Sequence, residues 1–204
     1  MSYLEFLGVL SGLAAVWLSA KANIWNWPVG LINVVLAFLL YYQVQLYPDM
    51  FLQVFFFITN LIGWWRWANP KSNEEGRNHE LKISVMNTMQ LTITACLAII
   101  TTYILGNFAS RLHSWFPSLF SLPGSYPYID SFILVMSIVS TFYMILKKIE
   151  CWIIWISIDI VATILYYIKD IKFFSMEYLI FTALACYGLR TWIKEYKSYN
   201  LKIS

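Results

Sequence analysis

The sequence is poor in charge. Asp, Glu, Lys and Arg together make up 12% of its 204 residues, whereas soluble domains contain about 25%. Hydrophobic residues account for 60% of the chain, and its mean hydropathy is +0.63. This balance excludes an ordinary soluble domain and indicates a membrane protein, because lipid-facing helices need long apolar windows.

Metal-binding and nucleophilic residues are also scarce. The two histidines, His79 and His113, are expected in loops on opposite faces, so no shared metal site is predicted. The three cysteines, Cys96, Cys151 and Cys186, lie far apart in apolar runs and are predicted to be small buried hydrophobes. The chain has neither a G-x-x-x-x-G-K-[ST] loop nor an H-E-x-x-H helix. We therefore expect neither an enzyme nor a cofactor-dependent protein.

Seven apolar windows are each about long enough to cross the roughly 30 Å of a bilayer core. The first ten residues, MSYLEFLGVL, lack the basic region and the cleavage site of a signal peptide, so they are expected to begin the first span. The sequence predicts one transmembrane domain over residues 1–204, with helices at 3–20, 26–46, 50–68, 84–105, 130–147, 149–168 and 174–193.

Two polar segments separate these windows. The segment Asn69–Lys82, NPKSNEEGRNHELK, is dense in charge and turn formers, which predicts a solvated loop. Residues 106–128, GNFASRLHSWFPSLFSLPGSYPY, contain three prolines, which favour an irregular interfacial segment over an eighth span. Asp130 is predicted to be the N-cap of the fifth helix.

The distribution of Lys and Arg predicts the orientation. With seven spans, three basic residues fall on one side, namely Arg111, Lys169 and Lys172. Eleven fall on the other, namely Lys21, Arg66, Lys71, Arg77, Lys82, Lys147, Lys148, Arg190, Lys194, Lys197 and Lys202. The positive-inside rule then places the C-terminus in the cytoplasm and the N-terminus outside. Because topology accounts for these residues, no nucleic-acid partner is predicted.

Aromatic residues collect at the basic side. Trp64, Trp65 and Trp67 flank Arg66 at the end of the third helix. Indole rings are enriched at membrane interfaces, so these three are predicted to form an aromatic belt.

A faint internal repeat is present. The motif Gly63–Trp67 closes the third helix, and Gly188–Trp192 closes the seventh at an offset of 125 residues. An offset of 126 places Asn33 over Asp159, so the alignment needs one gap.

The repeat predicts a 3+1+3 plan. Two three-helix units that point the same way need a single linking helix between them. The units are expected at residues 1–68 and 130–193, and the linking helix at 84–105.

Polar and aromatic residues form stripes on three helices. Trp152, Trp155 and Asp159 are spaced i, i+3 and i+7, which stacks them on one helix face. The second and third helices carry amides in comparable stripes beside small or aromatic residues. The candidate substrate-binding residues are Asn33, Gln53, Asn60, Trp152, Trp155 and Asp159.

Asp159 is the most informative of these residues. A charged side chain at the centre of a span costs several kcal/mol, so it normally faces a cavity or a partner. No Lys or Arg lies within the apolar body of a span. Either a ligand supplies the positive charge, or the acid is protonated and bonded to a hydroxyl. The favoured hypothesis is a flat cation that pairs with Asp159 and stacks on Trp152 or Trp155.

Other interpretations stay open. Membrane-embedded Asn and Gln often link helices, and Trp152 is close enough to a helix end to be an interfacial anchor. The function classes that remain are a carrier for a cationic vitamin, a proton-coupled carrier using Asp159, a neutral-sugar carrier and a structural membrane subunit.

Several motifs together resemble the PnuC family of vitamin transporters. They are WPVGLINV, YYQVQLYPDMFLQVFFFITNLIGWWRW, DSFILVMSIVSTFYMILKKIECWIIWISID and YLIFTALACYGLRTW, and they cover most of the second, third, fifth, sixth and seventh helices. The family's ligand-facing positions fall on Gln53, Asn60, Trp152, Trp155 and Asp159. Nicotinamide riboside members have Asn where this chain has Asp159, and other members carry thiamine and further vitamins.

The resemblance implies an all-α integral membrane protein with seven transmembrane helices in the SWEET-like 3+1+3 arrangement. It also implies a homotrimer in the bacterial inner membrane. The implied function is facilitated uptake of nicotinamide riboside for NAD synthesis, drawn inward by a cytoplasmic kinase. Thiamine is the alternative, because both vitamins are flat cations.

Overall fold

A computed structural model describes residues 3–43, 47–76, 79–116 and 125–200. Within these ranges the chain is helical, with short links and two isolated β-bridges. The seven helices are α1 Tyr3–Ala20, α2 Asn26–Gln43, α3 Tyr47–Ala68, α4 Thr88–Trp115, α5 Pro127–Ile145, α6 Glu150–Ile168 and α7 Lys172–Asn200. The predicted number and order of helices are confirmed.

The bounds of α4 differ from the prediction. It begins at Thr88, where the Asn87 side chain accepts a hydrogen bond from the Gln90 amide. It then continues through ten residues predicted to be irregular and ends at Trp115, so His113 lies in its last turn and not in a loop. Helical hydrogen bonds do not require lipid, so the polar residues mark the expected edge of the membrane and not the end of the helix. The remainder of the predicted interfacial segment, 117–124, lies outside the described residues.

The prediction for Asp130 was wrong. Helix α5 begins at Pro127 with Tyr126 as its N-cap, so Asp130 lies in the first turn. Its carboxylate is 3.6 Å from Nζ of Lys169, which begins the connection between α6 and α7. Proline at the first helical position is favoured because it has no N–H to leave unsatisfied.

The helices pack as two sets joined by reciprocal contacts. In the first set α2 packs against α1 and α3, and in the second α6 packs against α5 and α7. The sets meet where α1 contacts α7 and where α3 contacts α5. The described part of α4 packs mainly on α5 and exposes large apolar side chains such as Ile99 and Tyr103.

Four helices, α1, α4, α5 and α6, are long and apolar enough to cross a membrane. Together with the largely apolar exposed surface, they make this a multi-pass membrane protein. Helices α2, α3 and α7 are comparably long.

Four tryptophans form the centre of the core at the ends of α3 and α7. These residues, here the indole layer, are Trp27, Trp67, Trp152 and Trp192, and each has at most 5% of its surface exposed. Trp27 meets Trp67 edge to face at 5.3 Å, and Trp152 meets Trp192 in the same way at 5.5 Å. The belt prediction therefore fails for Trp67, which is fully buried, whereas Trp64 and Trp65 are exposed.

Each half of the molecule donates one indole hydrogen bond to the other. Trp67 of α3 donates to the Met144 carbonyl of α5 at 3.1 Å. Trp192 of α7 donates to the Ser19 carbonyl of α1 at 3.0 Å. The two donors lie 125 residues apart in the sequence, and so do the two acceptors.

The turns that precede α2 and α6 are also alike. The α1–α2 link is Lys21–Trp25 and the α5–α6 link is Leu146–Ile149. Ala22 and Lys147, 125 residues apart, both have a φ of 53°, a left-handed conformation that ends α1 and α5. The same backbone hydrogen bond recurs in both, from Asn23 N to Leu18 O at 3.0 Å and from Lys148 N to Tyr143 O at 2.9 Å.

The end of the α3–α4 loop is buried, contrary to the predicted solvated loop. Residues Glu80–Met86, here the strap, cross the end of the bundle where α1, α3, α5 and α7 end, here the basic end. Leu81 and Ile83 have 4% and 0% of their surface exposed and join the hydrophobic core. Ser84 forms a parallel bridge with the α5–α6 link, donating to Lys147 O and accepting from Ile149 N. The earlier part of the loop is largely exposed, as predicted.

Candidate functional site

A cavity of about 380 Å³ lies between the two sets of helices. All six predicted binding residues line it, namely Asn33, Gln53, Asn60, Trp152, Trp155 and Asp159. The volume falls within the range typical of small-molecule sites, and its lining is mostly apolar with a few polar groups. The structure therefore brings the predicted residues together, while their role in binding stays a prediction.

The amides of α2 and α3 are partly held by the protein itself. The Asn33 amide donates to Gly8 O at 2.7 Å and to the Ser11 hydroxyl at 3.1 Å, both on α1. Asn33 therefore links helices, as one interpretation predicted. The Asn60 amide donates to Phe56 O of its own helix at 2.8 Å. Since these bonds use only N–H groups, the side-chain oxygens of both amides can still accept from a ligand.

Helix α2 approaches α3 closely because Gly30 faces Asn60. A Cβ at Gly30 would overlap the Asn60 side-chain oxygen, so no larger residue fits without a shift. Small residues in membrane helices allow this kind of close approach. The glycine thereby keeps Asn60 beside the cavity.

The two tryptophans of α6 differ in access. Trp152 is 1% exposed, and Gly188 covers its ring so closely that a Cβ there would lie 2.7 Å from a ring atom. Trp155 is half-buried and lines the cavity one turn further along the same face. Trp155 is therefore the better platform for a stacked ring, and Trp152 chiefly closes the end of the cavity.

Asp159 lies one turn beyond Trp155 and has 4% of its surface exposed. None of the ion pairs within the described part of the chain includes its carboxylate. The hydroxyl of Thr163 donates to the Asp159 backbone carbonyl at 2.6 Å and not to the carboxylate. The cavity thus contains a buried acid for which the described residues provide no cation.

Sequence reasoning missed the contribution of the seventh helix. Tyr178, Phe181 and Ala185 of α7 line the cavity, and Tyr178 also stacks on Tyr166 at 5.4 Å. These three are spaced i, i+3 and i+7, the same pattern that identified the stripe on α6. They also lie 125 residues after Gln53, Phe56 and Asn60, which line the cavity from α3.

The structure also corrects the register between the halves. Trp27 and Trp152 occupy matching places against Gly63 and Gly188 at an offset of 125, so the offset of 126 does not apply at the beginnings of α2 and α6. In the 125-residue register the counterpart of Asp159 is Val34 and that of Trp155 is Gly30. All four of these residues line the cavity.

Charged groups gather at the basic end, where α1, α3, α5 and α7 end. Lys147 is 3% exposed, and its Nζ lies 3.5 Å from Glu80 and 4.2 Å from the ring centroid of Trp67. Burial lowers the pKa of Lys147 below its usual value, while Glu80 and Glu195 partly counteract that lowering. A second cavity of about 390 Å³ borders this group.

Within the described residues, no group of histidine, cysteine and carboxylate side chains is arranged to hold a metal ion. His79 contacts Glu75 in the exposed loop before the strap, and His113 lies at the far end of α4. The cavity is thus built from aromatic rings, amides and one acid, groups that bind an organic molecule.

Comparison with known proteins identifies the family of this chain. A model of the nicotinamide mononucleotide transporter family matches residues 2–194. The nicotinamide riboside transporter PnuC of Escherichia coli K12 is 31% identical, over 95% of this chain and 86% of that protein. The riboflavin/roseoflavin transporter RibM of Streptomyces davaonensis is 22% identical, over 92% of this chain and 83% of its own length.

A solved structure shares the fold. The crystal structure of the vitamin B3 transporter PnuC aligns with a TM-score of 0.72 at 23% identity, over 97% of this chain and 83% of that chain. Since the family model spans nearly the whole sequence and named relatives are transporters, this chain belongs to the nicotinamide mononucleotide transporter family, the family of the PnuC proteins.

Proposed function

We propose that this protein carries nicotinamide riboside across the bacterial inner membrane by facilitated diffusion, for use in NAD synthesis. The observation that carries the proposal is the Asp159 carboxylate, buried beside a cavity without a cation from the described residues. A pyridinium ring stacked on Trp155 supplies that positive charge. The 31% identity to a nicotinamide riboside transporter supports the same substrate.

The proposed architecture is the 3+1+3 arrangement, with α1–α3 and α5–α7 as parallel units, α4 as the linking helix and all seven helices spanning the membrane. The matched contacts 125 residues apart support it. Two units rocking about a central site give alternating access without an energy source of their own. The basic end faces the cytoplasm, where a kinase phosphorylates the vitamin and so maintains inward flow.

The proposed assembly is a homotrimer. The exposed apolar face of α4 supports contacts with lipid or with other copies, because its side chains are not covered by the described part of the same chain.

Calorimetry on the purified protein tests the proposed charge pairing. We expect Asp159→Ala to weaken nicotinamide riboside binding at least tenfold, which corresponds to about 1.4 kcal/mol. Binding of dihydronicotinamide riboside, whose ring is neutral, should change much less. Equal losses for both ligands would rule out the ion pair.

The second candidate substrate is thiamine, which is also a flat cation. The carboxylate of Asp159 suits thiamine as well, because it can pair with the positive charge of either vitamin. The same calorimetry, run with thiamine and riboflavin, ranks the vitamins. A proton-coupled mechanism at Asp159 would instead make uptake into kinase-free vesicles sensitive to an uncoupler.

A further inference from the structure

The two cavities are separated by part of the indole layer. Trp27 lines the cavity that contains Asp159 and contacts Trp67, and Lys147 lies over Trp67 while lining the second cavity. The second cavity is also bordered by the α1–α2 link and by Glu80 of the strap. A ligand that leaves the cavity containing Asp159 through the basic end must therefore displace Trp27 or its counterpart Trp152.

The strap holds only one of the two matched links. In the α5–α6 link, Ile149 N donates to Ser84 O at 3.0 Å, and the Lys148 ammonium donates to Val85 O at 3.1 Å. At the start of α6, the Glu150 carboxylate accepts from Met86 N at 2.8 Å.

Among the described residues, the α1–α2 link has no comparable support. In the described part of the chain, the hydrogen bonds of residues 21–25 stay within the link and its flanking helices. Asn23 and Trp25 are exposed, whereas their counterparts Lys148 and Glu150 are half-buried. The link borders open space in the second cavity on its strap side.

The closed indole layer also contains unsatisfied donors. The indole N–H groups of Trp27 and Trp152 are buried, and no acceptor is found for them among the described residues. A buried donor without a partner costs about 1–3 kcal/mol. When the indole layer opens, water can accept hydrogen bonds from these N–H groups. The cost of the unsatisfied donors therefore favours opening, through movement of the half that is less firmly held.

We propose that the α1–α2 link is the moving gate at the basic end, and that the strap fixes the α5–α6 link as the stationary side. Opening carries Trp27, in the first turn of α2, away from Trp67 and joins the two cavities into one exit path. This inference rests on the transport function proposed above, but it concerns which half moves and does not depend on the identity of the vitamin.

Reversible cross-linking tests the role of the gate. In a chain whose Cys96, Cys151 and Cys186 are replaced by alanine, Asn23→Cys with Tyr199→Cys places one thiol on the α1–α2 link and one on α7, both lining the second cavity. Bridging them with a bifunctional methanethiosulfonate should lower nicotinamide riboside uptake into vesicles at least tenfold, and reduction should restore it.

The matched control bridges the strap to the link it already pairs with. After the same cross-linking, the protein with Ser84→Cys and Lys148→Cys should take up nicotinamide riboside as fast as it does after reduction. Unchanged uptake in the first pair, or a reversible block in the second, would overturn the proposal.

A labelling experiment shows which of the two links moves, and its result does not depend on which vitamin is carried. Ala22 and Lys147 are both buried, and both have the same left-handed conformation. In single-cysteine proteins, we expect a small maleimide to modify Ala22→Cys at least tenfold faster than Lys147→Cys. Equal rates, or faster reaction at Lys147→Cys, would show that the first link is not the mobile one. Absence of vitamin binding with unequal labelling would reject the substrate and leave the gate standing.

Discussion

At the scale of single residues, the loss of Glu80 and the loss of Lys147 should lower the stability of the fold by different amounts. Lys147 is almost completely buried, whereas the Glu80 side chain is 23% exposed. Removing the acid leaves a buried cation without its partner, which is the more costly change. We expect Glu80→Gln to lower the free energy of unfolding by about 1–3 kcal/mol and Lys147→Met to lower it less.

Thermal unfolding in detergent measures both variants, and pH provides a second readout. Because the pKa of Lys147 is lowered by folding, the unfolded state binds more protons between that lowered value and 10.5. Stability should therefore rise with pH as it approaches 10.5, and this part of the rise should be missing in Lys147→Met. Glu74→Gln, which breaks a partly exposed pair with Arg66, is the control and should change less than Glu80→Gln does. A larger loss in Lys147→Met than in Glu80→Gln would contradict this interpretation.

The two tryptophans of α6 should separate binding from stability. Trp155→Ala removes a half-buried ring at the cavity, so we expect affinity for the cationic vitamin to fall by about 1–2 kcal/mol with little loss of thermal stability. Trp152→Ala removes a fully buried ring from the indole layer and should destabilise the fold by about 3–5 kcal/mol. Calorimetry and thermal unfolding on both variants check this. Unchanged affinity in Trp155→Ala would assign that ring to packing.

At the scale of helices, the close approach of α2 to α3 and of α6 to α7 depends on paired glycines. Gly63 lies against Trp27, and Gly188 lies against Trp152, with no space for a Cβ at either position. Replacing either glycine by alanine should cost about 1–3 kcal/mol through overpacking. Gly8→Ala is the control, since a Cβ there meets no atom within 4 Å. Similar melting temperatures for all three variants would mean that the tryptophans adjust freely.

The helices themselves could be predicted from sequence because apolar windows record where lipid lies. Their ends could not, since a helix continues as long as its hydrogen bonds do, whatever surrounds it, as α4 does through Trp115. The strap was missed for a different reason. Leu81 and Ile83 are isolated apolar residues within a charged loop, and so short a pattern has no periodicity to distinguish burial from exposure.

At the scale of the whole molecule, the sequence was enough to identify the polar cavity residues of α2, α3 and α6. An amide or an acid is conspicuous in an apolar helix, and helical spacing shows which of these side chains share a face. The contributions of α7, such as Tyr178 and Phe181, required the tertiary structure, since aromatic residues occur throughout the sequence. The matched contacts between the halves were equally hidden. They are formed by glycines, backbone carbonyls and indoles, whose pairing depends on which helices meet.

The near-equivalence of the halves ends within the cavity itself. Gly30 faces it where the other half has Trp155, and Val34 faces it where the other half has Asp159. The wall with Gly30 and Val34 is apolar and neutral at these positions, whereas the wall with Trp155 and Asp159 presents a large ring and a carboxylate. The two sets of helices thus enclose a cavity whose two walls differ chemically, so we expect a flat ligand to bind in one of its two end-for-end orientations and not in the other.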